Sequence, residues 1–431
     1  MINPKTQERE LVYVTLIDNI EPIIGSDNCE CAIVSGWHVM VRKGQFDVGD
    51  PAIYFEIDSK VPSTNLAFAF LEKRNYKVKT QKFTFGGKGN FISQGLLMHA
   101  SDFGWEIKEQ IHIDYRNGSE ERIPYIVDDK GIEHYVDDES RFLTSILGVT
   151  YADEEDNARK APSVDKYKKM AQRHPNIFKK PWARWFMKRE WGRKLMFVFF
   201  GKKKDKKNGW PAWVSKTDEE RVQNMPWILN DTGSWVITEK IDGSSTTFTM
   251  KRGKHGKKEF YVCSRNVCFD SVDKPCYYDT NIYWEMAQKY DMYNVLSKFL
   301  DEHPSTEWVT IQGETFGNGV QKRDYSMKDH GFRAFNLITS DKGRYGTLVM
   351  VSILWDYKVP CVPVINKDFH FDSLDMLKDE NDNNRVDTLL NLATGNSTLD
   401  GLPREGFVLR SADGTKSFKA VSNSFLLKYH S

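Results

Sequence analysis

Lys240-Ile241-Asp242-Gly243 stands between two runs that alternate like strands, Trp235 to Lys240 and Ser245 to Met250, and no other stretch constrains the fold as strongly. A period of two puts Lys240 and Asp242 on the same face. An amine and a carboxylate are thus offered together at a strand end, beside a glycine that leaves room for a phosphate. These residues gain weight from the motifs that succeed them along the chain: Ser264-Arg265-Asn266, Gly313-Glu314-Thr315-Phe316-Gly317, Phe332-Arg333-Ala334-Phe335, Glu405-Gly406-Phe407-Val408-Leu409-Arg410 and Ser417-Phe418-Lys419. A nucleophilic lysine followed by carboxylates and phosphate-facing cations points to covalent nucleotidyl transfer.

At 431 residues the chain exceeds one average domain, so two compact units are expected. Lys+Arg number 61 against 60 Asp+Glu, a net charge of +1, so any nucleic-acid surface must come from local clustering. The six cysteines are irregularly spaced, and Cys29-Glu30-Cys31 is too tight for a usual zinc knuckle. Reduced thiols and a cytosolic setting fit that pattern. The longest apolar run, Leu195 to Phe200, is far too short to span a bilayer, so no membrane association is expected.

From Leu11 to Pro62 the chain alternates in strand fashion, with turn signals at Gly25-Ser26-Asp27, Lys43-Gly44 and Val48-Gly49-Asp50. Several short strands this close predict a small all-β barrel. The phrase Gly44 to Pro51 running into a strand, then Lys60-Val61-Pro62, resembles an OB-type barrel, to which Ile92 to Leu97 would add a strand. A ligand-free β sandwich is the plainer reading. The acidic, weakly periodic stretch Asp128 to Asp156 reads as a solvated excursion or an insertion on the barrel.

From Arg159 to Lys207 the charge balance reverses, and Trp182, Trp185, Phe186 and Trp191 interleave with the lysines and arginines. Such a segment suits a groove for a nucleic-acid strand, cations neutralising phosphates while aromatics stack on bases. It equally suits helices with a buried aromatic stripe and a solvated charged face. We therefore divide the chain into an OB-like barrel with an acidic insertion at 1–158, a basic aromatic-rich segment at 159–208 and a third domain at 209–431.

In that last domain Thr217 with Glu219 and Glu220 reads as a helix start. Strands are expected at Trp235 to Lys240, Ser245 to Met250, Phe260 to Cys263, Trp308 to Gly313, Phe332 to Ile338 and Phe407 to Arg410, with helices at Tyr283 to Leu300, Leu374 to Leu377 and Arg385 to Leu392. The fold class is α+β, antiparallel sheets with flanking helices.

With these residues in view, the chain resembles the covalent nucleotidyltransferase superfamily of ATP-dependent ligases and capping enzymes, whose nucleophile lies in a Lys-x-Asp-Gly motif. More closely it is similar to the RNA ligase family typified by the Deinococcus and Naegleria enzymes, which carry an OB-like domain before the catalytic one. The resemblance spans the N-terminal barrel and roughly Gly209 to the C-terminus. It implies that Lys240 takes AMP from ATP as a phosphoramide, that AMP passes to an RNA 5′-phosphate, and that a 3′-hydroxyl then displaces it.

The resemblance also distributes roles. Arg265 would contact phosphate and Glu314 the ribose or a metal-bound water. Phe335 would stack on adenine, with Phe332 the alternative in the same motif. Glu405 would hold the water shell of the metal or orient the Lys240 amine, and Lys419 would contact the α-phosphate. Nucleotide contacts extend to Glu239, Asp242 and Gly243. Asp242, Glu314 and Glu405 would together hold Mg2+ or Mn2+ through water. Many ligases carry Lys-x-Lys at the last motif, whereas position 421 is Val, which leaves Lys416 or another cation for the second role. The arginine that many DNA ligases carry five residues after the nucleophile is Ser245 here.

DNA ligases and capping enzymes place an OB domain after the last lysine motif, but this chain ends at Ser431, shortly past Lys419. The expectation is thus an ATP-dependent RNA ligase, a monomer acting on RNA ends in a nicked duplex with an RNA 3′-OH strand, in RNA repair. Its rivals are a GTP-using capping-type transferase and a non-catalytic nucleic-acid-binding protein.

Overall fold

The computed structural model describes residues 1–87, 89–114, 119–152, 210–269, 271, 276, 278, 280–379 and 384–429, with isolated positions 180, 183, 186, 187 and 196. The chain separates into two compact units, one made of Met1–Tyr151, Ala212–Arg265 and Phe269–Ser431, the other of Ala152–Pro211 with Asn266–Cys268. Few residues of the second unit are described, among them Ala183 and Met196, both buried. Both readings of segment 159–208 lie largely outside the described residues.

In the first unit, Val12–Leu16, Pro51–Phe55 and Leu96–Met98 form one antiparallel sheet, and Asn19–Pro22, Cys29–Val34 and Trp37–Arg42 form another. Strand alternation sends Tyr13, Ala52 and Tyr54 toward Trp37 and Val39, and Val12, Val14, Ile53 and Phe55 toward Phe68, Leu71 and Trp105. Both faces of the central strands are therefore covered, which is why Val12 to Val14 and Pro51 to Phe55 are buried without a break. The region is OB-like and all-β apart from short 3-10 turns, its described strands lying in separate small sheets. Ile92 to Leu97 supplies two strands, Asn90–Ser93 and Leu96–Met98.

The acidic stretch after Asp128 is not a solvated excursion throughout. Asp128 Oδ1 accepts the backbone N–H groups of Lys130 and Ile132 at 2.9 and 2.8 Å, closing a turn. Leu143, Leu147 and Val149 then enter the apolar core beside Val12 and Ile126. Acidic composition hid these apolar anchors because they are spaced by turns rather than by a regular period.

The C-terminal part of the same unit carries two antiparallel sheets. One has the order Val364–Phe369, Trp235–Lys240, Gly406–Ser411, Ser417–Val421. The other runs Cys268–Phe269, Lys258–Cys263, Ser244–Arg252, Trp308–Gly317, His330–Thr339, Gly343–Arg344. The expected long helix is two, Ile282–Lys289 and Met292–Glu302, broken at Asp291, whose φ of 49° is left-handed. Helices Ser373–Leu377 and Arg385–Ala393 fall where the pattern put them. Helix Thr347–Asp356 is not announced by the pattern, because Leu348, Val349, Val351, Ile353 and Trp355 leave it without a polar face.

Thr217 to Glu220 has no regular secondary structure and does not start a helix. Lys419 N–H donates to Glu220 O at 2.7 Å, and Arg221 bridges Lys419 in parallel fashion, so this segment runs along strand Ser417–Val421. Arg221 also lies over the Trp37 ring at 5.7 Å, and Ile92 packs with Val421 and Leu426. The OB-like region thus abuts the strand that bears Lys419.

Candidate active site

Register across the four-stranded sheet builds the site. Thr238 pairs with Val408 and Val408 with Lys419, while Lys240 pairs with Gly406. By alternation Thr238, Lys240, Val408, Arg410 and Lys419 share one face, and all five line a cavity of about 340 Å³. Trp235, Ile237, Phe407, Leu409, Phe418 and Ala420 take the other face and form the apolar core against Leu389 and Leu390. One face is packed and rigid; the other is open and polar.

The second sheet supplies the far wall. Ser245 pairs with Glu314, so the turn at Asp242 and Gly243 carries the chain from the Lys240 strand directly to the strand that pairs with the Glu314 strand. A Cβ on Gly243 would collide with Thr315 O and lie 2.8 Å from Glu314 Cγ. The space this glycine leaves is therefore filled by the Glu314 strand, not held open for a phosphate. Gly406, at φ 154°, is likewise obligatory, since a Cβ there would collide with Ala420 O.

Lys240 Nζ donates to Glu405 Oε2 at 2.7 Å, a charge-assisted bond. Burial pulls the Lys240 ammonium down, but Glu405, Glu314 and Asp242 together outweigh it and hold it above its ordinary pKa. Burial pushes the Glu314 carboxyl up to about 8, the Lys240 charge opposing and the Glu405 and Asp242 charges reinforcing the rise. Lys419 moves the opposite way, to about 8, through burial and the positive charges of Lys240 and Arg221.

Of the expected residues, Lys240, Gly243, Arg265, Glu314, Phe335 and Lys419 line the cavity, and Glu405 joins them through Lys240. Asp242, buried at 5 % exposure, follows Lys240 at the turn. Arg265 pairs with Asp218 at 2.9 Å at the half-exposed rim. Phe335 borders the cavity above Ile241 and Val362, whereas Phe332 is fully buried against Phe248 and Tyr290. That separates the two aromatic candidates.

Two expectations change. Glu239 borders the cavity, but its carboxylate lies on the core side of the strand, accepting from Ser397 Oγ and from Thr398 N and Oγ1, the latter two at 2.9 Å. Adjacent strand residues cannot share a face. Lys416 is not brought to the cavity; its ammonium pairs with Asp231 at 2.6 Å on the exposed surface.

Sequence reasoning missed Thr217, Asp218, Glu219, Gln321 and Arg410 as cavity residues. Arg410 is 2 % exposed, bonded to Glu219 at 3.1 Å and to Phe335 O at 2.8 Å. Its position two residues beyond Val408 was the signal that could have found it. Glu219 and Gln321 had none, being held in irregular segments.

The donor set fits a nucleotide with a hard divalent ion. Glu314, lifted by burial and further by the Glu405 and Asp242 charges, would be favoured in its ionised form by a cation. Among the described residues no three His, Cys, Asp or Glu side chains converge to chelate an ion directly.

Residues 233–430 match the RNA ligase family model, and residues 11–99 match an OB-fold domain. No curated protein matches the sequence. Among solved structures, a mutant of Naegleria gruberi RNA ligase with ATP and Mn is 24 % identical, with a TM-score of 0.58 over 98 % of this chain and 100 % of that one. The same enzyme with PPi gives 24 % identity and 0.56 over 98 % and 99 %, and another mutant with AMP and Mn gives the same figures. These likenesses establish a shared fold. Among the described residues no helix is long and apolar enough to cross a membrane. With its motifs in order around one cavity, the chain matches the RNA ligase family model over residues 233–430, behind a region matched by an OB-fold domain model.

Proposed function

We propose that this protein is an ATP-dependent RNA ligase that uses Lys240 as its nucleophile. The supporting observation is the Lys240 amine, held 2.7 Å from Glu405 in a cavity lined by Phe335, Arg265, Glu314 and Lys419. In the first step the Lys240 ammonium gives up one proton to become the free amine, Nζ bonds to the α-phosphorus of ATP as the bond to pyrophosphate breaks, and the nitrogen gives up a second proton to leave the neutral phosphoramide. AMP then passes to an RNA 5′-phosphate, freeing Lys240, and a 3′-hydroxyl displaces AMP as the strand is sealed.

Phosphoryl displacement of this kind is mostly positioning and charge stabilisation. Glu405 orients Nζ and is the base nearest its proton. Phe335 offers a ring face to the base, the Arg265 fork can bind phosphate in bidentate fashion, and Lys419 faces the α-phosphate. Mg2+ or Mn2+, bound with the nucleotide and held through water by Asp242, Glu314 and Glu405, would offset the charge gathered there. The substrate we favour is a nicked duplex with an RNA 3′-OH strand, sealed by a monomer in the cytosol. We retain the division at 1–158, 159–208 and 209–431.

The test is labelling with radioactive ATP or GTP in the presence of Mg2+ or Mn2+. Covalent protein labelling from ATP alone, stable to denaturation and alkali but released by acid as a phosphoramide is, and lost in Lys240→Ala, supports the reading; labelling from GTP, or from neither, sinks it. Sealing assays with RNA or DNA at the 3′-OH side of a nick then decide the substrate.

A further inference from the structure

The loop that joins strands Trp308–Gly317 and His330–Thr339 folds back onto the nucleophile turn. Tyr325, 3 % exposed, accepts the Asp242 N–H on its hydroxyl at 2.7 Å. Gln321 Nε2 of the same loop donates to Gly243 O at 2.9 Å. Both bonds fall on the two residues that turn the chain directly after Ile241.

Tyr325 is held there against a backbone cost. Tyr325 and Ser326 have φ of 55° and 54°, a left-handed conformation that side chains rarely adopt. The ring packs edge-on against Phe316, with centroids 5.0 Å apart, and within the apolar cluster of Ile241, Val362 and Phe335. Arg323 lies over the same ring at 3.9 Å and pairs with Asp400 at 2.5 Å. Asp400 belongs to the turn whose Ser397 and Thr398 bind the Glu239 carboxylate. A chain of contacts thus runs from Glu239, just before Lys240, through the turn of Ser397 to Asp400, Arg323 and Tyr325 to Asp242, two residues after it.

We propose that Tyr325 is a positioning residue for the first chemical step, its hydroxyl and the Gln321 amide clamping the Asp242-Gly243 turn so that Lys240 is aimed at the α-phosphorus. Strain at Tyr325 persists because the surrounding bonds over-determine it. Burial raises the phenol far above its usual pKa, so the hydroxyl stays neutral and the clamp does not switch with pH. The inference rests on Lys240 being the nucleophile.

That dependence sets the experiment, which compares two reactions of the full chain. One is labelling of the protein by ATP over a range of ATP concentrations. The other is sealing of a nick whose 5′ end is already adenylylated, without ATP, where the nucleophile is a 3′-hydroxyl and not Lys240. Tyr325→Phe keeps the ring and removes the acceptor. It is expected to slow labelling at saturating ATP about ten- to hundredfold, with KM for ATP nearly unchanged and pre-adenylylated sealing near wild type. Gln321→Ala, at an exposed contact, is expected to act in the same direction with a smaller effect. Labelling at the wild-type rate in Tyr325→Phe, or a parallel fall in both reactions, overturns the proposal. If Tyr325→Phe does not fold, Gln321→Ala decides by the same split. A wild-type protein that seals the pre-adenylylated nick but takes no label from ATP would instead overturn the nucleophile assignment.

Discussion

Lys240 and Glu405 are joined by a 2.7 Å hydrogen bond although they stand 165 positions apart in the chain, because Lys240 pairs with Gly406 in the strand register. The amine is thereby held as an ammonium in the nucleotide-free site. Glu405→Gln keeps the shape and removes the charge that holds and orients Nζ. We expect it to slow protein labelling by about a hundredfold or more at neutral pH while leaving the fold intact. Labelling within a few-fold of wild type would rule out this role for Glu405.

Glu314 predicts a pH dependence of stability. Its carboxyl is pushed up to about 8 in the folded protein, so between the usual glutamate range near 4.5 and about 8 the folded state binds a proton that the unfolded state has lost. Its contribution to metal-free stability therefore falls as pH rises through that window. Glu314→Gln should flatten this part of the melting-temperature profile. Parallel profiles for wild type and variant between pH 5 and pH 8 would refute the shift.

Phe335 and Phe332 should separate cleanly. Phe335→Ala is expected to raise KM for ATP about tenfold with a modest change in stability, since stacking on a base is worth about 1–3 kcal/mol. Phe332→Ala opens a cavity beside Phe248 and should cost about 3–5 kcal/mol in unfolding free energy without a selective effect on KM. Chemical denaturation and ATP titration of both variants check the pair. Equal KM effects would remove the stacking assignment.

The two lysines of the last motif should also diverge. Lys419→Ala is expected to lower labelling by at least tenfold, as it removes a cavity cation proposed to face the transferred phosphate. Lys416→Ala breaks only an exposed pair with Asp231, worth about 0–1 kcal/mol, and should leave labelling and sealing unchanged. A strong activity loss in Lys416→Ala would show that this side chain leaves Asp231 to reach substrate.

The order of the motifs, the strand alternation around them and the break from all-β to mixed structure were legible without coordinates, because each depends on local spacing. Lys240, Arg265, Glu314, Phe335, Glu405 and Lys419 could be picked out because their motifs follow one another in the order of the family that the chain resembles. The direction of Glu239 was equally implied by its period with Lys240, yet its partners Ser397 and Thr398 lie far along the chain. What filled the space at Gly243, which aromatic of the Phe332 to Phe335 motif faced the cavity, and whether Lys416 or Lys419 reached it were decided only by packing between distant strands. So was the charge state of the nucleophile. Burial and the approach of Glu314, Glu405 and Asp242 are properties of the assembled sheets, and a linear sequence specifies residues without the distances through which their charges act.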